Sequence, residues 1–545
     1  MGVDKTEEIR NEGSAMQKLP PIPEVPETER TPLVQALLLV IEALQEKEHL
    51  QQEQIQALRD EIAQLRGQKP KPQIKPSNLG KASEKKQKKK GKDKRAGSGK
   101  RSKTKELEIH ETKVVRPDNI PEGSEFKGYQ NYTVQGLMMK AHNVVYRLER
   151  WKTPRGDSVV GKLPCEAGDG HFDNTLITFI LYQYYHCLVT QPLILEQLHE
   201  LGIEISSGHL SAIITEGKQS YHIEKDEILR VGLEVSKYIH VDDTSARHQG
   251  KNGYCTHIGN ELFAWFQSTE SKSRINFLQL LRAGNKDYVL NEDAVEYMRL
   301  QGLGKAQTQL MVGNLGCIFE NEHKWREALD AWGITNQRHI RIATEGVLLG
   351  SALEHGLNPG LIVMSDDAGQ FNVLMHALCW IHAERTLTKL IGFSDKQRAD
   401  LDNARTQVWD LYQILKAYKQ SPNENKKLEI QERFDAIFTQ YTCFASLNLA
   451  LERLYKNKSE LLLVLQYPDI PLHNNLSECD IREYVKKRKI SGSTRSANGR
   501  RCRDTFTSLK KTCRKLGISF WDYLEDRVSG AGHIAPISEL ILCHA

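Results

Sequence analysis

Two short apolar runs, far apart in the chain, are each followed directly by a pair of aspartates. The run at 238–241 leads into Asp242-Asp243, and the run at 361–364 leads through Ser365 into Asp366-Asp367. Apolar runs of this length are typical of buried strands, and adjacent strands of one sheet can bring such acids side by side. The pattern predicts a mixed sheet with helices, in which carboxylates from distant positions meet at the end of the sheet.

Two more strand-like runs follow the first acidic pair. They cover residues 254–258 and 262–267, and Gly259-Asn260 between them favours a turn. A three-strand meander that begins at an acid fits the first three strands of a ribonuclease H-like sheet. After the second acidic pair, residues 376–390 have a helical pattern.

A third carboxylate, Glu478, is predicted to open a helix after a segment rich in proline and asparagine. Three carboxylates brought together suit a site for two Mg²⁺ ions, because hard cations prefer oxygen ligands and offset the repulsion between the acids. Each acid also has an ordinary interpretation. Asp-Asp after a strand often caps a turn. Asn475 and Glu478 can form a capping box, with Arg482 as an i,i+4 partner of Glu478.

The net charge of +5 averages two basic segments with an acidic remainder. Residues 69–105 hold 16 Lys and Arg against two acids, and residues 482–515 hold 13 against two, which leaves −20 elsewhere. Clustered Lys and Arg are typical of contacts with nucleic-acid phosphates. A solubilising tail and a solvated helix face are the alternatives that the charges alone leave open.

Three segments are predicted within the first 106 residues. Residues 1–30 are predicted to be a disordered leader, and residues 68–106 a disordered basic linker. Between them, residues 31–67 carry apolar positions at alternating three- and four-residue spacing, which predicts a coiled-coil zipper that pairs two copies through residues 34–65. A single amphipathic helix docked on the body of the protein is the alternative.

The remaining segments predict further domains. Residues 107–165 indicate a small mixed domain with a turn at 154–157. Residues 166–232 indicate a helix-turn-helix region, since Gly202 would break one helix and Ser206 or Ser207 would cap the next. Spacing alone does not separate a DNA reader from a plain helical hairpin. Residues 233–527 are assigned to the catalytic domain and residues 528–545 to a C-terminal tail.

Several classes of protein are disfavoured. No run reaches the ~18 to 20 apolar residues that a membrane span needs, and the leader is acidic rather than basic, unlike a signal peptide. Ten scattered cysteines without a Cys-x-x-Cys pair argue against a disulfide scaffold or zinc ribbon and favour the cytoplasm. The spacing of His376, Cys379 and His382 does not close a tetrahedral metal site on a helix. Cys379 and Trp380 are expected in the core, and His382 and Arg385 near the active site.

Several motifs together point to a known family. They are His240-Val241-Asp242-Asp243-Thr244, Ser365 to Phe371, Cys379-Trp380-Ile381-His382-Ala383-Glu384-Arg385, and Asn474-Asn475-Leu476-Ser477-Glu478, followed by Arg482, Arg488-Lys489, Gly492 and Ser508-Leu509 to Thr512. In this order, from about Tyr129 to Arg527, the chain resembles the DDE transposases of bacterial insertion sequences, specifically the insertion-sequence-sixty-six family.

The resemblance implies that Asp242, Asp366 and Glu478 are the catalytic, metal-binding triad, with Asp243 and Asp367 as the nearest alternative assignments. It implies two Mg²⁺ ions, with Mn²⁺ able to substitute. It also implies a multidomain α/β chain with a ribonuclease H-like core, a helix-turn-helix and an N-terminal coiled coil. Insertions are expected at about 287–342 and 394–463. No zinc is expected where other members carry a cysteine cluster, because this chain has only Cys165 there.

The function so implied is that of a DNA transposase, which binds terminal inverted repeats and catalyses strand cleavage and strand transfer. The expected partners are transposon-end and target DNA, a second copy of the chain, and small accessory proteins of the same element, in the bacterial cytoplasm at the nucleoid and without a membrane. A catalytically silent DNA-binding derivative and a ribonuclease H-like nuclease are the alternatives. The basic residues proposed for DNA contact are Arg482, Lys486, Arg488, Lys489, Arg495 and Arg501.

Overall fold

The computed structural model describes residues 31–41, 43–44, 47, 108–122, 124–164 and 170–545. The chain divides into two compact units, one formed by 1–46 with 140–545 and the other by 47–139. The predicted leader, most of the second half of the zipper, the basic linker and Cys165 lie outside the described residues. Predictions made for these segments therefore stay predictions.

The described part of the unit 47–139 is irregular. Residues 108–122 and 124–139 form no helix or strand, and their side chains are exposed. Phe126 and Tyr129 pack edge to face with their ring centroids 5.0 Å apart.

In the other unit, helix α1 covers residues 32–41. Four of its apolar side chains, those of Leu33, Leu37, Val40 and Ile41, are exposed. The side chain of Gln35, on another face, donates a hydrogen bond of 2.8 Å to the hydroxyl of Tyr441. Of the predicted zipper positions in α1, Leu37 and Ile41 are exposed and Val34 is half-buried, and pairing between two copies stays a prediction.

The strands form a small hairpin, a central sheet and a separate two-stranded antiparallel pair. They are β1 (Arg150–Lys152), β2 (Ser158–Val160), β3 (Tyr238–Ser245), β4 (Tyr254–Gly259), β5 (Ala264–Thr269), β6 (Tyr288–Leu290), β7 (Cys317–Phe319), β8 (Ile362–Ser365) and β9 (Met375–Leu378). The central sheet has the order β5-β4-β3-β8-β9. Strands β3, β4 and β5 are antiparallel neighbours, whereas β8 is parallel to both β3 and β9.

Two features of this sheet differ from the sequence-based expectation. Strand β3 does not end at Asp242 but continues through both aspartates to Ser245, because β4 pairs with it along this length. His376 was expected in a helix, yet it lies in β9, where its ring is hydrogen-bonded to the Ser365 hydroxyl of β8 at 2.7 Å. The helix begins only at Trp380.

The helices of the unit surround this sheet. They are α2 (Asn174–Leu181), α3 (Gln191–Glu200), α4 (Ser207–Thr215), α5 (Gln219–Val235), α6 (Arg274–Leu281), α7 (Glu292–Leu300), α8 (Lys305–Val312), α9 (Glu322–Ala331), α10 (Gln337–Glu354), α11 (Trp380–Thr388), α12 (Asp395–Gln420), α13 (Glu424–Phe438), α14 (Ala445–Lys456), α15 (Lys458–Leu461), α16 (Asn475–Ser491), α17 (Ala497–Lys515), α18 (Phe520–Ser529) and α19 (Ile537–His544). Among the described residues, no helix is both long and apolar enough to span a membrane.

Two expected helix signals, Gly202 and Ser206, lie where α3 ends and α4 begins. A π-helical turn, Tyr182–His186, extends α2. Gly202 follows α3 with φ of 79°, a left-handed conformation that glycine adopts readily. The Ser206 side chain accepts a hydrogen bond from the backbone N–H of His209 and so caps α4. Reading of DNA by these helices stays a prediction.

The two faces of the sheet belong to two different apolar cores. Ile239, Val241 and Val363 point into the first core, together with α5, α6 and α10. Ile362 and Met364 point into the second, which α11 to α14 complete. The expected insertion at 287–342 contains β6, β7 and α7 to α9 and joins the first core, whereas the one at 394–463 builds most of the second.

The outer strand β5 is covered along its edge by α17. Three successive outward N–H groups of β5, those of Ala264, Phe266 and Ser268, donate to Thr512 Oγ1, Ser508 Oγ and Asp504 Oδ2 at 3.1, 2.9 and 2.7 Å. Every second strand residue advances by ~6.7 Å and every fourth helix residue by ~6 Å, so the two rows match. An unpaired edge would otherwise be free to add another strand.

Replacing Thr512 with valine tests this contact. The Thr512→Val variant keeps the shape of the side chain but leaves the buried Ala264 N–H without an acceptor, which we expect to lower the free energy of unfolding by about 1–3 kcal/mol. Hydrogen exchange at the amide of Ala264 should also become faster. Thr507→Val is the matched control, because the Thr507 hydroxyl bonds only to the carbonyl of Arg503 in its own helix. Equal stability and exchange in the two variants would contradict the assignment.

Candidate active site

Asp242 and Asp366 occupy corresponding positions on two adjacent parallel strands. The last backbone pair between β3 and β8 joins His240 to Met364; two residues further on, Asp242 lies within β3 and Asp366 directly after the end of β8. Because both strands run in the same direction, the two carboxylates emerge at the same end of the sheet. The structure therefore brings together the first two acids of the predicted triad.

The neighbouring aspartates are engaged elsewhere. Asp243 accepts hydrogen bonds from the Thr256 hydroxyl at 2.5 Å and from the Gln370 amide at 3.0 Å. Asp367 accepts from Arg453 Nε at 3.0 Å and from the side-chain amide of Asn457 at 3.3 Å. Their side-chain oxygens thus already have protein partners, which favours Asp242 and Asp366 as the reactive pair.

Glu478 lies in the first turn of α16 and is surrounded by cationic groups. Its carboxylate is 3.2 Å from Arg385 Nη1, 3.6 Å from His382 Nε2 and 3.8 Å from Arg482 Nη2. His382 and Arg385 therefore approach Glu478, as the sequence predicts. Cys379 and Trp380, at the start of the same helix α11, are buried.

The side chain of Asn474 joins β3 to the helix that carries Glu478. Its amide nitrogen donates to the carbonyl of Val241 at 2.8 Å, and its amide oxygen is 2.8 Å from His240 Nδ1. Because a carbonyl can only accept, the amide orientation is fixed and His240 must carry a hydrogen on Nδ1. Burial lowers the pKa of His240 to about 4, so the ring is neutral at neutral pH. This bridge lies immediately before Asp242 and four residues before Glu478.

A second buried contact fixes the next turn of α16. His257 of β4 has Nδ1 at 2.7 Å from the Ser477 hydroxyl and Nε2 at 3.3 Å from the Asp480 carboxylate. Lys511 and Lys515 also pair with Asp480, at 3.2 and 2.9 Å. Although burial opposes it, the neighbouring His257 and the charge of Lys515 hold the pKa of Asp480 well below its usual range. The N-terminal turn of α16 is therefore held rigidly against β3 and β4.

The carboxylates interact electrostatically across the site. Burial raises the pKa of Asp242 to about 7, and the negative charges of Asp366, Asp243 and Glu478 add to this effect. A divalent cation nearby would stabilise the ionised form of a carboxyl group in such surroundings. The available ligands are carboxylate oxygens, the hard donors that Mg²⁺ prefers. The residues fit a divalent ion in their chemistry. Within the part of the chain that the structure describes, no three His, Cys, Asp or Glu side chains form a closed ligand set.

The residues predicted to contact DNA differ in their environment. Arg482, Lys486, Lys489, Arg495 and Arg501 are exposed. Arg501 Nη1 is 3.4 Å from the Gln219 side chain at the start of α5. Arg488 is half-buried, and its guanidinium donates to the Ser245 hydroxyl at 2.6 Å, just beyond the two aspartates of β3. All six lie on or directly after the helix that carries Glu478 or in the next helix.

Part of the second basic segment is structural. Lys487 donates to the carbonyl of Tyr184 at 2.7 Å and lies 3.5 Å from the centre of the Tyr184 ring. Lys510 pairs with Glu483 at 2.5 Å, and Arg503 donates to the carbonyl of Gly492 at 3.1 Å. These three side chains are buried. The net charge of residues 482–515 is therefore larger than the charge that its exposed side chains can offer to a ligand.

Four positioning residues were not predicted as part of the site. They are His240, His257, Asn474 and Ser477. His240 and Asn474 were visible as neighbours of the predicted acids, but a sequence does not reveal which polar side chains bond to each other across a fold. Burial of a histidine in an apolar strand was the only available signal.

Two comparisons with known proteins give matches. Residues 353–501 match the family model described as "Transposase IS66 family". The matched span contains Asp366, Glu478 and the exposed arginines near them, whereas Asp242 precedes it. The chain is also 43% identical over 321 residues to the uncharacterized protein y4jO of Sinorhizobium fredii, an alignment that covers 58% of this chain and 100% of that protein.

Removing the Asn474 side chain tests the bridge. We expect Asn474→Ala to lower the free energy of unfolding by about 2–4 kcal/mol, because the variant leaves a buried carbonyl and a buried ring N–H without partners. Denaturant titration of the full-length protein measures the change. Asn475→Ala is the control, since the adjacent Asn475 is exposed and its loss should cost less than about 0.5 kcal/mol. Similar losses in the two variants would show that the bridge does not stabilise the site.

Proposed function

Since the chain belongs to the IS66 family of transposases, we propose that it acts on DNA as a transposase that binds the terminal inverted repeats of an insertion sequence, cleaves DNA strands and transfers them. The observation that carries the proposal is the electrostatic interaction of Asp242, in β3, with Asp366, directly after the adjacent parallel strand β8, and with Glu478 of α16. It supports a site shared by acids from three distant segments.

The proposed core is ribonuclease H-like. Support comes from the sheet, in which an antiparallel meander of β3, β4 and β5 is extended on the side of β3 by the parallel strands β8 and β9. The first acid lies in β3 and the second directly after β8. This is the arrangement that the sequence-based hypothesis requires.

The proposed cofactor is a pair of Mg²⁺ ions held by Asp242, Asp366 and Glu478. When bound, the ions would supply activation of the attacking water or 3′-hydroxyl and stabilisation of the leaving oxygen. The protein would orient the three carboxylates. The Asn474 bridge and the His257 contact hold the start of α16 against β3 and β4.

Cationic side chains beside Glu478 would bind the reacting phosphate group. Arg385 and Arg482 lie next to this carboxylate, and their side chains are about half and two-thirds exposed. A guanidinium group can donate two parallel hydrogen bonds to a phosphate, which also fixes its orientation. Their charges would offset the negative charge of the DNA at the point of cleavage.

Recognition and assembly complete the proposal. Helices α2 to α4 would read the transposon ends, and residues 34–65 would pair two copies so that two ends are held together. Small accessory proteins of the same element are further candidate partners. The exposed apolar face of α1 supports the pairing.

Two alternatives predict different reactions. A catalytically silent DNA-binding derivative would bind transposon ends without cutting them, and a nuclease would cut without joining. The presence of all three acids favours an enzyme over the silent derivative. The exposed heptad face of α1 favours an assembly that holds two ends. An oligonucleotide assay with Mg²⁺ that follows cleavage and joining separately distinguishes the three.

Substitution of the acids tests the site. Asp242→Asn, Asp366→Asn and Glu478→Gln should each reduce cleavage and joining by more than about 100-fold. This exceeds the usual effect of removing a residue that contacts a metal ligand rather than the metal itself. Binding of end DNA should persist in all three variants. Asp367→Asn is the control, because the contacts that it weakens, a partly exposed ion pair with Arg453 and a hydrogen bond from Asn457, contribute little. Cleavage that survives Glu478→Gln, or that is lost equally in Asp367→Asn, would contradict the assignment.

A further inference from the structure

The hairpin between β3 and β4 projects beyond the carboxylate end of β3. Its tip is a two-residue turn in which His248 and Lys251 exchange backbone hydrogen bonds of 3.0 and 2.9 Å. Gln249 and Gly250 have φ of 48° and 78°, the left-handed pair that such tight hairpin turns require. Gln249 is unusual at such a position, since residues other than glycine, asparagine and aspartate rarely adopt it.

The tip is fixed to the loop between α16 and α17. The Gln249 backbone N–H donates to the carbonyl of Thr494 at 2.9 Å, and its side-chain amide donates to the carbonyl of Arg495 at 3.3 Å. His248 Nδ1 lies 2.8 Å from the Thr494 hydroxyl. The hairpin and the loop therefore form one surface, here called the hairpin platform, made of residues 245–253 and 488–501.

The base of the hairpin is closely packed as well. The Ala246 N–H donates to the carbonyl of Gly253 at 2.7 Å. A side chain at position 253 would place its Cβ 2.7 Å from the carbonyl oxygen of Ala246, closer than real contacts allow. The cations on the tip are consequently carried by a rigid support rather than by a loose loop.

The hairpin platform is basic throughout. It contains seven Lys and Arg residues and no Asp or Glu. Arg247 and Lys251 are exposed on the hairpin, Lys489 near the end of α16 and Arg495 on the loop that follows it. None of these four pairs with a carboxylate among the residues that the structure describes. Arg247 donates one hydrogen bond to the carbonyl of Gly250 at 3.2 Å, and its guanidinium has no other partner within the described ranges. Such a surface suits a polyanion.

We propose that Arg247 and Lys251, on the hairpin that follows β3, bind the DNA backbone to one side of the cleavage site. The inference rests on the proposed function, because it takes the carboxylate site as the place where the DNA is cut. Arg247 follows Asp242 by five residues, or ~16 Å along an extended strand. Phosphates of one strand are spaced by ~3.4 Å along the helix axis, so the contact falls about five nucleotides from the scissile phosphate. Contact with phosphates is independent of base sequence.

Salt dependence of binding tests the number of contacts. The probe is a duplex with the terminal sequence that flanks the gene, bound by full-length protein in Ca²⁺ so that it is not cut. Removal of two phosphate contacts by Arg247→Ala with Lys251→Ala should reduce the slope of log K against log salt by about 2 and weaken binding at least about five-fold. The single variant Arg247→Lys should keep most of the wild-type affinity for the duplex, because lysine keeps the positive charge.

The matched control removes Lys416 and Lys426, two exposed lysines of the helical segment 394–463. Neither pairs with a carboxylate among the described residues, and their loss should leave the slope unchanged. An unchanged slope in the hairpin variant, with wild-type stability, would overturn the inference. Failure of the wild-type protein to bind or cut the duplex in Mg²⁺ would instead contradict the proposed function.

Single methylphosphonates, which remove the charge of one phosphate, locate the contact. Binding by the wild-type protein should be most sensitive to substitution about three to six nucleotides from the cleavage point. The hairpin variant should lose this sensitivity, since its contacts are already absent. A sensitive position that lies more than about ten nucleotides away, or that the variant retains, would overturn the placement.

Discussion

One asparagine side chain holds together the parts of the candidate active site. Asn474 is nearly inaccessible, and its amide bonds to both His240 and Val241 of β3 while its backbone begins the helix of Glu478. A buried amide that donates to one backbone carbonyl and accepts from a ring N–H admits a single orientation, since turning it over would break both hydrogen bonds. Acids separated by more than 230 residues are thereby held in a fixed relation, with the neutral ring of His240 as the second half of the link.

The surrounding architecture protects this arrangement. Helix α17 covers the outer edge of the sheet with a row of hydroxyl and carboxylate acceptors, and its lysines reach back to Asp480 near the start of α16. The second basic segment thus has two parts. Its buried lysines stabilise the packing of α16 and α17, whereas its exposed arginines face outward beside the carboxylates. The same stretch of sequence supports the site and forms its basic rim.

Much of this site could be predicted from the sequence, for identifiable reasons. The apolar runs before Asp242 and Asp366 have no other stable place than a buried sheet, and Glu478 follows a clear helix start. The strand conformation of His376 could not be predicted, because the residues from His376 onward also have a helical period. Only the hydrogen bond between His376 and Ser365 of the adjacent strand β8 favours its place in β9. The choice between Asp366 and Asp367 likewise depends on Arg453, which lies in a distant helix.

The central claim is that Asp242, Asp366 and Glu478 together hold divalent metal. A crystal of the full-length protein soaked in Mn²⁺ tests it most directly, because anomalous scattering locates the ion without assumptions about the reaction. We predict that Mn²⁺ is bound by oxygens of these three residues, with Glu478 turned away from Arg385. Mn²⁺ bound instead by Asp243 or Asp367, or no ion at the three carboxylates at saturating concentration, would contradict it.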